Sequence, residues 1–283
     1  VTAVGVVAPG AMGTALAGCL AAGGHRVLAS LHGRSPETAA RARDVLEDAG
    51  ALDDLVVAVE VLLLVVPPGS ARAAGAEVAD ACRRTGARPL VAELDAVAPA
   101  TVAAIAADLP ADLVDGAISG PPPHPGAAAP TRVFLSGPRA AEVAVLEAPG
   151  VRWLVLGGPV GAASAAKMCT ASVRKGHQAL LAQALVTAAE HGVLDTVVDD
   201  LRLSFPDAGV PTAAVAASKA WRFVDEMTEI AATQADAGLT PALGEALAAV
   251  YRALATSEWG ARRPDEVPAD LTDPAGLRPS GPR

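Results

Sequence analysis

The chain has 283 residues, 52% hydrophobic but only 2% aromatic, a length that suits two packed domains. Its core must therefore be filled by Ala, Val and Leu, as in closely packed helices and buried parallel strands. A formal net charge of −9 opposes nucleic acid or an anionic membrane as the main partner, while leaving room for a local basic pocket. The cysteines Cys19, Cys82 and Cys169 show no metal-ligand spacing, so no metal is expected. Their odd number without pairing fits a reducing cytoplasm. Val1 to Gly24 is apolar but has no basic n-region and carries interior glycines, unlike a signal sequence. The apolar run Val61 to Val66 stops at Pro67-Pro68, far short of bilayer thickness. These features describe a soluble cytoplasmic protein.

In chain order, "AVGVVA" reads as a buried strand, and residues 11 to 23 as the helix after it. "RVLASL" (26–31) is a second strand. Ser35-Pro36-Glu37 then supplies an N-cap, a first-turn proline and an early acid for a helix through Asp48. "VLLLVV" (61–66) is a strand cut off by Pro67-Pro68-Gly69, followed by a helix over 70 to 85. "PLVAEL", "LVDGAIS" and "TRVFLSG" add strands, with a helix around 98 to 107, and "VRWLVLG" (151–157) closes the pattern. Strands alternating with helices predict a doubly wound, mostly parallel sheet covered on both faces. After Gly157-Gly158-Pro159 the strand signal disappears. Residues 161 to 191 form one long helical run, with further helices near 212 to 236 and 241 to 256. The expected organisation is an α/β Rossmann-type domain over 1–157 and an all-α domain over 158–259. A polar, proline-rich surface tail follows over 260–283.

"VVAPGAMGTALA" (Val6 to Ala17) sits between the first strand and the first helix. It matches G-x-G-x-x-G except that Ala8 replaces the first glycine. In that motif the first glycine allows the tight turn, the second lets backbone approach a pyrophosphate, and the third packs helix on strand. Gly10 and Gly13 keep the last two duties, and alanine can replace the first if its φ is not positive. Pro9 lacks an N–H, so Ala11, Met12 and Gly13 would carry the phosphate contact at the helix N-terminus. A glycine-rich turn without ligand is the competing reading. About 20 residues on, NAD-binding loops carry an acid for the ribose. Here the second strand ends "Ser30-Leu31-His32-Gly33-Arg34-Ser35". Arg34 and Ser35 suit the 2′-phosphate of NADPH, which is expected to bind in preference to NADH. Arg41 or Arg43 stands ready one helical turn later. The competing reading is a solvated N-cap with incidental arginines.

The long helix begins "GPVGAASAAKMCTASVRKG", where Lys167, Thr170 or Ala171, Arg174 and Lys175 recur at helical spacing and make one face polar and cationic. Periodicity alone favours a lysine with its head in water. Together with "APGAMG", "VVPPG", "LDAVAPAT", "VDGAISGPPP", "TRVFLSGP" and "KAWRFVDEMTEIA", however, the chain resembles the β-hydroxyacid dehydrogenase superfamily. That superfamily includes 3-hydroxyisobutyrate and 6-phosphogluconate dehydrogenases. The resemblance is closer to a phosphogluconate-dehydrogenase-like branch with its own C-terminal helical domain.

The resemblance implies a homodimer formed through the helical domain, a small-molecule substrate, and hydride transfer at a cleft between domains. It places the catalytic lysine on Lys167 and the substrate-contacting pair on Ser119 and Gly120. The strand-end segment before the nicotinamide falls on Val66, Pro67, Pro68 and Asp95. Thr170, Arg174 and Lys175, the last matching a lysine of the closer branch, are expected to contact the substrate as well. A lysine with its pKa lowered by burial and by nearby Arg174 and Lys175 would protonate a carbonyl oxygen. Three departures stand out. Ala8 replaces a glycine, Asp95 replaces an Asn or Ser, and Thr170-Ala171 replaces the Asn or aromatic that accompanies the lysine. Asp95 therefore reads either as a partner of Lys167 or as an acid in its own right. His124 reads as a loop-surface residue, and Arg132 as an exposed strand-edge cation, with contact to an anionic substrate group as the other reading. The leading expectation is an NADPH-dependent reductase of a small carbonyl, reversible from the alcohol. Imine reduction is the runner-up, and a cofactor-sensing protein without catalysis is the third reading.

Overall fold

The computed structural model describes residues 1–33 and 35–280, and of Glu37 only the backbone. The chain folds into two compact units, Val1–Met168 and Cys169–Arg283.

The first unit is built on eight strands in the order β3-β2-β1-β4-β5-β6-β7-β8. They are β1 (Ala3–Val7), β2 (Arg26–Ala29), β3 (Glu47–Asp48), β4 (Val61–Leu64), β5 (Leu90–Glu93), β6 (Leu113–Ser119), β7 (Thr131–Ser136) and β8 (Val151–Val155). All neighbours pair in parallel except β6 and β7. The central strand β4 reads Val-Leu-Leu-Leu because it is buried on both faces. Val61 and Leu63 point into a core with α1 (Ala11–Ala22) and α6 (Ala140–Ala144). Leu62 and Leu64 point into the opposite core with α3 (Leu52–Ala58), α4 (Ala71–Thr85) and α5 (Pro99–Asp108). This is the doubly wound sheet expected from the alternating pattern.

Some boundaries differ. The helix expected through Asp48 is α2, Pro36–Arg43, and it ends early. Ala49 N–H then bonds to Ala29 at 2.9 Å, so Glu47 and Asp48 become a short edge strand instead of helix, followed by α3. Arg132, read as a strand-edge cation, lies on β7, which has neighbours on both sides; its side chain is nevertheless exposed.

The second unit is all helix: the later turns of α7 (Ala162–Glu190), then α8 (Leu194–Ser204), α9 (Val210–Ala217), α10 (Ala220–Asp236) and α11 (Ala242–Ala255). The run expected over 212 to 236 is two helices, α9 and α10. Helix α8 was missed although Leu194, Val197, Val198 and Leu201 recur at helical spacing; none of its residues is buried in the structure. Gly244 lets α11 approach α10 closely, since a Cβ there would lie 2.9 Å from Ala231 Cβ. The segment after Gly260 is not a loose tail. Short 3-10 turns bring Pro274 and Leu277 into the core beside buried Trp259, and Ser257 bridges Pro279.

The two units divide inside α7 rather than at residue 158, and a carboxylate explains why. Asp115, on β6 and fully buried, accepts N–H groups of Gly161, Ala163 and Ser164 at 2.9, 2.8 and 3.1 Å. It also accepts the hydroxyls of Ser136 at 2.7 Å and Ser164 at 2.6 Å. A helix start leaves its first N–H groups without partners; here the sheet supplies the acceptor, so the first turns of α7 belong to the sheet unit. Asp115→Ala should strip the acceptor from buried donors and cost about 3 kcal/mol or more. Asp115→Asn, which keeps one acceptor oxygen, should fall between it and the parent; urea unfolding of the three proteins measures the order.

Candidate functional site

The β1–α1 turn lies where the sheet order reverses, since β1 is flanked by β2 and β4. In open α/β sheets the ligand crevice lies outside the carboxyl ends of the strands at this point. Gly10 is the N-cap of α1, and neither a side-chain cap nor a first-turn acid serves that helix. A Cβ on Gly10 would meet nothing within 4 Å, so backbone faces open space where a pyrophosphate would need to approach. Gly13 is different: a Cβ there would lie 3.1 Å from Val6 Cγ1, so this glycine brings helix and strand together. Both duties assigned from sequence fit the geometry. The first position needs a correction. Ala8 adopts φ +54°, the left-handed angle that its replacement of glycine was expected to avoid. The turn is held nonetheless by Gly10 N–H to Ala8 O at 2.7 Å and by Thr14 Oγ1 to Pro9 O at 3.0 Å.

Beyond β2, a cleft of about 400 Å³ is lined by Leu31, His32, Pro36, Ala39, Arg43, Asp48 and Gly50. Arg34, the expected phosphate clamp, lies outside the described residues. Ser35 is exposed and caps α2, its Oγ accepting Thr38 N–H at 3.2 Å. Arg43 lines the cleft and Arg41 is exposed. An acid does stand at this strand end, contrary to the linear reading. β3 brings Asp48 there, and its Oδ1 accepts the N–H of Leu31 at 3.3 Å and of Gly50 at 2.9 Å.

The strand-end segment after β4 is also set by a carboxyl group. Val66 N–H donates to Asp95 Oδ1 at 2.6 Å, which fixes Val66 ahead of exposed Pro67 and the 3-10 turn Pro68–Ser70. Asp95 is 4% exposed and Glu93 fully buried. Burial pushes Asp95 up to about 7, against the hydrogen bonds from Glu93 and Val66. Glu93 is pushed well above the ordinary carboxyl range, first by burial and then by the charge of Asp95. Asp95 thus holds backbone in place, a positioning role that its linear location did not distinguish from catalysis. Glu93 was missed entirely; the signal was an acid closing an otherwise apolar strand, two residues before Asp95.

Ser119 ends β6 and is buried, and Gly120 follows. Ser119 lies on the same strand face as Asp115 by the period of two. Asp115 also escaped the sequence reading, although a lone acid inside "LVDGAIS" marks it. Lys167 lies on α7 within the sheet unit, partly buried, one helical turn beyond Ser164. In the helical unit, Thr170 and Arg174 are exposed. Lys175 is engaged differently from the substrate contact expected of it. Its ammonium pairs with Glu226, both side chains being largely buried, and lies 4.5 Å from the Phe223 ring centroid. Glu226 balances the charge that Lys175 was expected to lend Lys167. His124 is exposed on its loop, as read from sequence. Among the described residues no cluster of three or more His, Cys, Asp or Glu could hold a metal, and no helix is long and apolar enough to cross a membrane.

An open-cradled turn at a sheet's switch point, followed by an all-helical unit, is the arrangement of a Rossmann-type domain with a C-terminal helical domain. Residues 188–254 match the model of a domain of unknown function, DUF1932. Along 89% of this chain and 96% of the other, the protein is 28% identical to MTH1747, with a TM-score of 0.67. That conserved protein of unknown function is described as structurally similar to 3-hydroxyacid dehydrogenases. Mycobacterium tuberculosis 3-hydroxyisobutyrate dehydrogenase shares the fold over 98% of both chains, at 21% identity and a TM-score of 0.69. A Streptomyces aurantiacus imine reductase shares it over 94% of this chain and 98% of its own, at 21% identity and a TM-score of 0.54. No protein of curated function matches the chain significantly.

A left-handed alanine costs about 1–2 kcal/mol. Ala8→Gly should therefore hold stability level or raise it by up to about 1 kcal/mol, after the glycine's greater unfolded-state freedom is subtracted. Thermal unfolding should show no loss, whereas an ordinary loop Ala→Gly change lowers the midpoint.

Proposed function

We propose that the chain is a nicotinamide-dependent oxidoreductase that takes NADPH in preference to NADH and reduces a small carbonyl compound reversibly. The observation that carries this reading is the crevice at Gly10, where uncapped helix N–H groups meet open space. That fits a dinucleotide pyrophosphate, with Ala11, Met12 and Gly13 as donors and the Val66–Pro68 segment bordering the nicotinamide half. The dinucleotide, when bound, supplies the hydride. Lys167 holds the proton that the substrate oxygen takes up, and Ser119 Oγ–H, beside Gly120, orients that oxygen or an adjacent carboxylate. Asp115 matters by fixing the start of the helix that carries Lys167. The fold shared with hydroxyacid dehydrogenases supports carbonyl chemistry. The fold shared with an imine reductase keeps a C=N substrate as the second reading.

A panel of ketones, aldehydes, β-keto acids and cyclic imines, followed by NADPH absorbance, tests both. Carbonyl turnover should fall about 10²- to 10⁴-fold in Lys167→Ala, with NADPH affinity nearly unchanged. Imine-only turnover would favour the second reading, and an unaltered rate in the variant would remove Lys167 from the mechanism.

The preference for NADPH rests on the cleft past β2, where Arg43 contributes a guanidinium and Arg34 precedes Ser35 in sequence. Asp48 opposes it, so the arginines must outweigh one carboxylate already bonded to backbone. Arg43→Ala should weaken NADPH about tenfold, the scale of one charge-assisted hydrogen bond, and leave NADH affinity unchanged. Equal loss for both cofactors would remove Arg43 from 2′-phosphate recognition. We place homodimer contacts on the helical unit, where Val173, Leu180 and Trp221 expose more than half their surface.

A further inference from the structure

Two buried acids stand behind the Val66–Pro67 segment, and the reaction outlined above leaves one of them, Glu93, without a role. Each has one oxygen on backbone: Asp95 Oδ1 accepts Val66 N–H at 2.6 Å, and Glu93 Oε1 accepts Asp95 N–H at 3.1 Å. Their remaining oxygens, Glu93 Oε2 and Asp95 Oδ2, are sealed from water with no N–H or hydroxyl donor. Glu93 Oε1 sits on the Asp95 backbone N–H, so the two carboxyl groups are neighbours. An ionised carboxylate only accepts, so buried oxygens that no donor reaches favour the protonated form. Two bare charges at this depth would also repel in a medium that screens poorly. Asp115 faces Glu93 from the adjoining strand, but both its oxygens are bonded to α7 and Ser136. From the β4 side the Val66 N–H faces the pair.

We propose that Glu93 keeps its proton throughout while Asp95 exchanges a second one, and that losing this second proton shifts the crevice's preference from reduced toward oxidised nicotinamide dinucleotide. The inference rests on the reading that this crevice takes such a cofactor. The oxidised ring carries a positive charge and the reduced ring does not. Asp95 follows β5, beside β4, on the half of a doubly wound sheet that takes the second mononucleotide. A charge on Asp95 therefore lies behind the segment bordering that ring and attracts one redox form. Glu93, the more strongly raised acid, keeps its proton; Asp95 is the group that ionises, near pH 7. The pair acts as a positioning and tuning element and does not touch the substrate.

The experiment measures the dissociation constants of NADP⁺ and NADPH by calorimetry, without substrate, from about pH 5.5 to about pH 8.5. The 2′-phosphate is common to both cofactors, so its own titration cancels in their ratio. Kd(NADPH)/Kd(NADP⁺) should rise about tenfold across the range, the scale of one charge acting through a partly screened interior. The midpoint should lie near 7. Asp95→Asn should make the ratio independent of pH. Glu93→Gln, neutral like the protonated acid it replaces, should keep the rise. A flat ratio in the parent protein, or a rise that survives in Asp95→Asn, overturns the proposal while leaving cofactor binding intact. Failure of both cofactors to bind would instead overturn the reading of the crevice, and the proposal with it.

Discussion

The contact between one sheet carboxylate and the start of one helix organises the sheet unit of this protein. Asp115 lies in an otherwise apolar strand, where an acid without partners would be strongly destabilising. It is accommodated because α7 begins opposite it, with backbone N–H groups and the Ser164 hydroxyl directed at its oxygens. Each side satisfies the other: the helix start loses its orphan donors and the buried acid gains acceptor bonds on both oxygens. The consequence reaches Lys167, one turn further along, whose position is inherited from β6 through Ser164.

Most of the architecture was legible because its signals are repetitive. Alternating buried strands and amphipathic or small-residue helices, cut by Pro67-Pro68 and by Gly157-Gly158, announce a doubly wound sheet and the helical unit after it. The errors fall where a local signal was outvoted by tertiary contact. Asp48 continues a helix-like run, yet the edge of β2 captures it into a two-residue strand. The last two dozen residues look solvated, yet Leu277 and Pro274 reach the core. Helix α8 is the opposite case: Leu194, Val197, Val198 and Leu201 do recur at helical spacing, and this short signal was passed over.

The site was legible to a lesser degree, and the reason is chemical. Glycines betray the backbone's close approach, so Gly10 and Gly13 could be assigned their duties from spacing. Carboxyl groups do not betray their surroundings. Asp48, Glu93, Asp95 and Asp115 look alike in sequence, and only pairing and burial separate a loop brace, a buried acid pair and a helix anchor. Lys167 and Lys175 share a helix in the same way, yet Lys175 faces Glu226 and Phe223 inside the helical unit. Only tertiary partners tell such residues apart.

Donor count decides the behaviour of the buried acids. Asp115 receives five hydrogen bonds from protein groups and needs nothing further from its surroundings. Glu93 and Asp95 each receive one from backbone, and a single N–H does not replace the hydration that a buried carboxylate has lost. The missing stabilisation must come from a proton. That requirement places a titrating group a few bonds from the segment expected to border a redox cofactor. A loop braced by an amide would hold the same shape at every pH. Bracing it with an acid adds a charge that comes and goes under conditions the cell itself can reach, and a stable backbone contact becomes responsive to protons without any movement of the fold.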